Sequence, residues 1–414
     1  MIQMVKIRII PFITGLFFLI FSSCSVKKIS FETPVDTKTK PIVLQKKQVY
    51  NLIKLGVYAS NDFDGARLNA FEQKNDTVVL VKITPENTPI NNSPYYAFST
   101  WSDEPKPMYY TFQYPNGYKH RYVPKLKING QWQIIDSSAI SKTDSVVTIK
   151  LNLSKTPIIV AAQEIQSSND VKNWYLNLAK EYDQKISVLS AGKSKLNRNL
   201  PVLDIGLGSK DGKDIIVLLT RQHPPEVTGY FAFREFLNTI VNNTELSNRF
   251  LKKYRILAFP IINPDGVDLG HWRHNAGGVD TNRDWSKYHQ PEIRNAVTFI
   301  DKTLKSNHSK LILGLDFHST WYDVFYTNEL QNKTSLPNFT QDWFNKLEEN
   351  ISGYKVNEQS ANSTKPVSKG WFLMAHKAIG ITYEIGDETP KEDIKTIGKV
   401  SAEQMMNLLL IENN

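Results

Sequence analysis

The stretch RQHPPEVTG, residues 221–229, places His223 and Glu226 three apart, with Pro224 and Pro225 between them. A second histidine, His318, stands in LDFHST, residues 315–320, at the end of another apolar run. Two imidazoles and one carboxylate make a catalytic zinc set that leaves the fourth position to water. The prolines restrict φ across the gap, so both side chains can be held toward one point without a helix. A loosely held pair would lose more conformational entropy on binding a metal. The pattern therefore predicts one Zn2+ per chain on His223, Glu226 and His318. A plainer account makes His223 a strand-end surface residue and Glu226 a favourable acid at a helix N-terminus, with His318 unrelated.

A second cluster lies in NPDGVDLGHWRHNAGGVDTNRDW, residues 263–285, which is glycine-rich and poor in strand patterns. Arg283 with Asn282 can bind a carboxylate, because a guanidinium is a planar fork that matches two oxygens. Arg273 can stabilise an oxyanion in the same cleft. Asp280 can accept a hydrogen bond from the far nitrogen of a zinc-bound histidine. The alternative is a long loop with ordinary surface salt bridges. Glu384, in ITYEIGDET at 381–389, follows a further apolar run. A glutamate beside a zinc-bound water can act as general base and then as proton donor to a leaving amine. Taken alone, it is more ordinary as a surface acid.

These residues need a frame that brings strand ends together. VLDIGLGS, DIIVLLT, RILAFPIIN, LILGLDF and GITYEIG are short apolar runs. Helical spacing appears in DVKNWYLNLAKEYDQ and over 226–240, 291–306, 338–350 and 391–412. Near-continuous apolar strands alternating with helices predict an α/β fold, with a mixed, mostly parallel central sheet flanked by helices. Polar residues at the ends of such strands are where open α/β sheets bind ligands. Residues 49–163 read differently. DTVVLVKIT, YYAFSTWS, MYYTFQYP, VVTIKLNLS and PIIVAAQEI are rich in β-branched and aromatic residues, and Asn129-Gly130 is a hairpin signal. They predict a small antiparallel β-sandwich domain without a catalytic cluster, followed by a catalytic domain over 164–414.

The first 24 residues carry Lys6 and Arg8, an apolar stretch from Ile9 to Phe21, and small residues before Cys24. This is the layout of an export signal, too short for a comfortable span of about 20 residues. Cys24 is the only cysteine, so no intramolecular disulfide can form. Its position resembles a bacterial lipobox, which implies a signal peptide over 1–23, lipidation of Cys24 and anchoring to the cell envelope. An uncleaved anchor or an ordinary signal peptide is the alternative. Residues 24–48, polar and lysine-rich, read as a tether. The net charge of +9 is spread with acids between the bases, unlike a nucleic-acid-binding tract, so no nucleic-acid partner is expected.

In order, HPPE, WR, GVDTNR, DFHS and TYEIGDE resemble the motifs of the zinc metallocarboxypeptidase family (M14, the funnelins). Each is weak alone; five in order are specific. The resemblance covers about residues 165–414 and implies a mixed sheet of about eight strands between helices. It implies zinc on His223, Glu226 and His318, and an oxyanion partner in Arg273. Asn282 and Arg283 match the clamp on the substrate's terminal carboxylate, Glu384 the catalytic glutamate, and Asp280 a partner of the first zinc histidine. The implied activity is hydrolysis of the C-terminal bond of a peptide with a free carboxylate, by a zinc-activated water with Glu384 as general base. A β-sandwich before the catalytic domain and a proline in the His-x-x-Glu gap look more like the cytosolic-carboxypeptidase branch than the digestive enzymes, which have arginine where Pro225 stands. Counting back from Glu384 without gaps brings Asn362, not tyrosine, to the place of the digestive mobile tyrosine; Tyr354 would need an insertion and is not assigned. The same count brings Lys369 to the position that sets side-chain preference, where it would favour an acidic C-terminal residue; otherwise it is a solvated loop residue. Two other readings stand beside this one. The first is a zinc amidase acting on cell-wall stem peptides or N-acyl amino acids. The second is a non-catalytic surface-binding lipoprotein, whose mark would be a lost zinc ligand or catalytic acid; none is lost.

Overall fold

The computed structural model describes residues 28–143, 146–329 and 333–411. The expected export signal and Cys24 lie outside the described residues. Strands in the N-terminal part form two sheets. One runs β1 (Val49–Leu52), β2 (Val57–Ser60), β5 (Ala97–Ser102), β11 (Ile158–Ala161), β7 (Lys125–Ile128), β8 (Gln131–Ile134). The other runs β3 (Ala70–Gln73), β4 (Val78–Lys82), β6 (Lys106–Gln113), β10 (Val147–Leu153), β9 (Ile140–Lys142). Their inward residues, among them Val57, Phe98, Tyr110 and Ile149, share one apolar core. Asn129 and Gly130 both take positive φ, 49° and 82°, between β7 and β8, as a two-residue hairpin turn of matching twist requires. The sheets are not purely antiparallel, as expected above: β4 pairs with β6 in parallel. The intervening β5 belongs to the opposite sheet, so the chain crosses over before β6 returns.

The C-terminal part holds one sheet in the order β12 (Ile186–Lys193), β13 (Asn199–Ile205), β15 (Arg255–Phe259), β14 (Ile215–Thr220), β16 (Leu311–Thr320), β19 (Ile379–Gly386), β17 (Val324–Thr327), β18 (Glu358–Ser360). The central run from β15 to β19 is parallel, and antiparallel pairs flank it. Every residue of β14 is buried because both faces are covered. Ile216 and Leu218 face α1 (Ser168–Glu181), α2 (Val227–Val241), α3 (Glu245–Lys253), α6 (Phe339–Asn350) and α8 (Lys391–Ile411). Ile215, Val217 and Leu219 face α5 (Pro291–Ser306) and α7 (Ser368–His376). The period of two along each strand explains this division. A short helix, α4 (Pro264–Asp268), opens the long loop after β15. Among the described residues no helix is long and apolar enough to cross a membrane.

The two parts are joined by buried polar contacts. Arg121 Nε lies 2.7 Å from Asp387, and Gln163 Nε2 donates to the Asp387 carbonyl at 3.0 Å. The tether expected over 24–48 is corrected from residue 28 onward. Ile29 enters the core under α5 and α7. Ser286 Oγ donates to the Ile29 carbonyl, Lys40 N to Gly277 O and Val43 N to Glu86 O. Thr37 is buried; its hydroxyl lies 2.5 Å from Asp284 and 3.0 Å from His289. A polar segment without periodicity is thus ordered as a strap, because its backbone groups find partners on the folded parts. Thr37→Val removes the hydroxyl from a buried carboxylate. It should cost about 1–3 kcal/mol, read as a lower urea midpoint with an unchanged slope.

Candidate active site

The knot between β14 and α2 is buried throughout residues 221–227. Its shape is fixed from inside. Arg221 sits at φ 56° and its Nη2 donates to the carbonyls of Gln166 and Pro224 at 3.1 and 2.9 Å. Gln222 is held at both ends of its carboxamide, accepting from Trp285 Nε1 at 3.0 Å and donating to Asp316 at 2.5 Å. Pro225 O accepts from Val227 N at 2.9 Å, and Glu226 stands at the N-cap position of α2 without a side-chain bond to the helix. His223 and Glu226 therefore project from a braced loop, and neither depends on helical spacing.

His318 stands in β16, in register with Glu384 of β19. Helix α2 presses onto the His318 backbone through Gly229, where a Cβ would fall 2.1 Å from the His318 carbonyl oxygen. Only glycine permits that approach. Gly229 N also donates to Ser319 Oγ at 2.9 Å. The result is a tight group. His223 Nδ1 lies 2.8 Å from Glu226 Oε1, His318 Nδ1 lies 2.6 Å from Glu226 Oε2, and the two Nδ1 atoms are 3.2 Å apart. One ligand atom from each residue falls within 4.8 Å of the others. The outward nitrogens are also held: His223 Nε2 by Asp280 at 2.9 Å, and His318 Nε2 by Asp316 at 2.8 Å. Such pairs orient imidazole ligands and raise their basicity. The donor set fits zinc.

The charges agree with a site that holds a cation. Burial would raise the Glu226 carboxyl, but His223 and His318 hold it well below the usual range. Burial opposes Asp280 too, and Arg273 and His223 hold it well down. Burial works against a charged His318, but Asp316 and Glu226 push its pKa well up. Glu384 behaves differently. Burial pushes it up to about 7 against the pull of His318, and its Oε2 is buried without a hydrogen-bond partner.

Arg273, Asn282, Arg283, Lys369 and Glu384 line the same cleft of about 610 Å³ as His223, Glu226 and His318. Arg273 Nε is fixed on Asp280 at 2.7 Å, which leaves its Nη groups for the cleft. Arg283 Nη1 donates to the Asn282 carbonyl at 2.8 Å. Asn282 turns inward, accepting from Ser368 N at 2.9 Å with Nδ2 at 3.3 Å from His318 Nε2. Lys369 is buried at the start of α7, not solvated.

A family model described as zinc carboxypeptidase matches residues 171–404. The chain belongs to the zinc carboxypeptidase (M14) family. Its curated relatives include cytosolic carboxypeptidase-like protein 5 of Danio rerio, 30% identical over 152 residues, covering 36% of this chain and 16% of that protein. Cytosolic carboxypeptidase 6 of Mus musculus is 28% identical over 136 residues, 31% of this chain and 25% of that one. The matching stretches span 10 to 30% of the length of the first such relatives. A solved metallo-carboxypeptidase from Burkholderia cenocepacia shares the fold with a TM-score of 0.69 at 15% identity, over 86% of this chain and 99% of that one. That coverage extends the shared fold beyond the family match into the N-terminal sheets.

Several cleft and support residues escape a reading of the sequence, among them Asp316, Tyr326, Arg121 and Ser93. Asp316 lies two before His318, and this spacing puts it on the same side of β16; that signal was available. Tyr326 of β17 is the phenol that lines this zinc carboxypeptidase-family cleft, whereas Tyr354 packs against the core and Asn362 bonds Glu329. Arg121 and Ser93 arrive from loops between the N-terminal strands, with Arg121 Nη1 3.2 Å from Ser93 Oγ and its guanidinium 5.1 Å above the Trp321 ring. No local pattern announces them. Asp316→Asn should weaken zinc binding by about 10-fold or more, measured by competition against a chromogenic chelator.

Proposed function

We propose that this chain is a zinc-dependent carboxypeptidase that removes the C-terminal residue of peptides. One observation carries the reading: the His223–Glu226–His318 group meets the partnerless Glu384 carboxylate oxygen and a set of cations in one cleft. Bound there, zinc would supply Lewis acidity, making water a nucleophile near neutral pH and polarising the scissile carbonyl. The chain's own groups do the rest. Glu384 takes a proton from the attacking water and passes it to the leaving amine. Arg273 offers its Nη groups to the oxygen on which charge develops, with Nε already fixed on Asp280. Arg283 pairs with the substrate's terminal carboxylate, and Asn282 adds its Nδ2 beside it. A substrate held at that end presents its last peptide bond to Glu384.

Lys369 sets the side-chain preference in this reading. Its ammonium donates to the carbonyls of Thr327 and Ala361, both at 2.5 Å, leaving one of three N–H groups for the cleft. Burial lowers its pKa to about 8, with Glu329 the acid that opposes this. Below that pH it is a cation that favours an acidic C-terminal side chain; above it the charge pairing fades. We also propose export and lipid attachment through Cys24, on the layout of residues 1–24.

Glu384→Gln should lower kcat by about 10²–10⁴-fold while metal content stays at one per chain. Exhaustive chelation should abolish cleavage and zinc should restore it; full activity without metal would sink the proposal. The wild-type preference for Glu-ended over Lys-ended peptides should decline between pH 7 and 9 and reverse in Lys369→Glu. An unchanged preference in that variant removes Lys369 from the specificity site.

A further inference from the structure

The segment that carries Arg273 is held by the N-terminal sandwich. Trp272 is fully buried and belongs to the sandwich's apolar core, not to the core of the sheet that carries the metal group. Its ring meets Tyr118 edge-on at 5.2 Å and Tyr114 at 6.4 Å. Glu86, which follows β4, is also fully buried. Its carboxylate accepts three consecutive backbone N–H groups from 186 to 188 residues away. Trp272 N donates to Oε2 at 2.8 Å, Arg273 N to Oε1 at 3.0 Å and His274 N to Oε1 at 2.7 Å. The next residue, Asn87, continues the grip: its Oδ1 lies 2.5 Å from His274 Nδ1 and its Nδ2 donates to the Gly278 carbonyl at 3.0 Å.

Three aligned donors on one carboxylate fix both the position and the rotation of a short peptide segment. Left without them, the three buried N–H groups would each lack a partner. Arg273 leaves this anchored backbone for the cleft and meets Asp280 at 2.7 Å. The direction of its guanidinium is therefore set from two sides: by Asp280 at the head and by Glu86 at the main chain. Displacement of a charge-stabilising group by about 1 Å can cost 10²-fold in rate.

We propose that Glu86 is a positioning residue for Arg273, so that the sandwich completes the catalytic machinery. This rests on the reading of Arg273 as the oxyanion partner. Gln in place of Glu86 keeps the size but turns an NH2 toward at least one backbone N–H. The experiment is a double-mutant cycle in the full chain with Glu86→Gln, Arg273→Ala and the pair, reading kcat, KM and zinc content on one peptide. Glu86→Gln should lower kcat about 10-fold or more, with zinc content unchanged and KM within about twofold. In the Arg273→Ala background it should have almost no further effect. Asn87→Ser, at the outer part of the same grip, should show a smaller kcat loss that is likewise absorbed by Arg273→Ala; it serves if Glu86→Gln is insoluble. Full additivity, or an unchanged kcat in the positioning variants while Arg273→Ala is impaired, overturns this inference alone. An unchanged kcat in Arg273→Ala overturns both it and the reading beneath it.

Discussion

His318 and Glu384 sit at matching positions on adjacent parallel strands, β16 and β19. A slip of one residue in that ladder would send each set of side chains to the opposite face. The ladder therefore fixes the distance between a candidate metal ligand and the carboxylate beside it, and other features hold the ladder in place. Alternate residues of the central strands fill two apolar layers, so a slip would exchange the side chains of the two layers and spoil the packing of both. Gly229 locks the layers to the ladder, since α2 has no room to slide past His318. The rigidity of the core is thus what makes the chemistry of the strand ends reproducible.

Burying so many charges is costly unless each finds a partner. The cleft meets this demand by sharing. Asp280 serves His223, Arg273 and the Asn282 backbone N–H at once. Asp316 serves His318, Gln222 and Ser368. Each carboxylate joins a histidine of the candidate metal group to a different part of the cleft wall. Networks of this kind favour one arrangement over its neighbours, because a shift in one member leaves several groups unpaired. Asp316 Oδ1 and Glu384 Oε2 are both left without a partner; Glu384 is the one of the two that lines the cleft, and a free acid in such surroundings is suited to exchanging protons.

The legible part of the sequence was the part with short-range pattern. Apolar strands such as IIVLLT and LILGLDF, and the runs read as α2, α5, α6 and α8, follow from periodicity alone. The metal group was legible because its chemistry restricts residue types and because HPPE is local. Strand β12 was not: ISVLSAGK is largely exposed at the sheet edge and has no apolar run. The segment expected as a tether over 24–48 is a strap from residue 28 onward, because polarity without periodicity describes both a free tether and a segment bonded across a surface. Arg121 and Glu86 lay beyond reach for a different reason. Their partners, Asp387 and residues 272–274, are 266 and about 186 residues away, and a single charged residue in a strand-rich segment carries no sign of such a distant contact.

The placement of Trp272 has a consequence for how the chain is made. Domains fold in the order in which they leave the ribosome, and all the sandwich strands end by Ala161, more than a hundred residues before Trp272. A sandwich that collapses on emergence does so with a slot between Tyr114 and Tyr118 still empty and the Glu86 carboxylate still bare. The last piece of its core comes from the next domain, on the segment that also carries Arg273. The core of the first domain is therefore complete only when the segment that also carries Arg273 is in place.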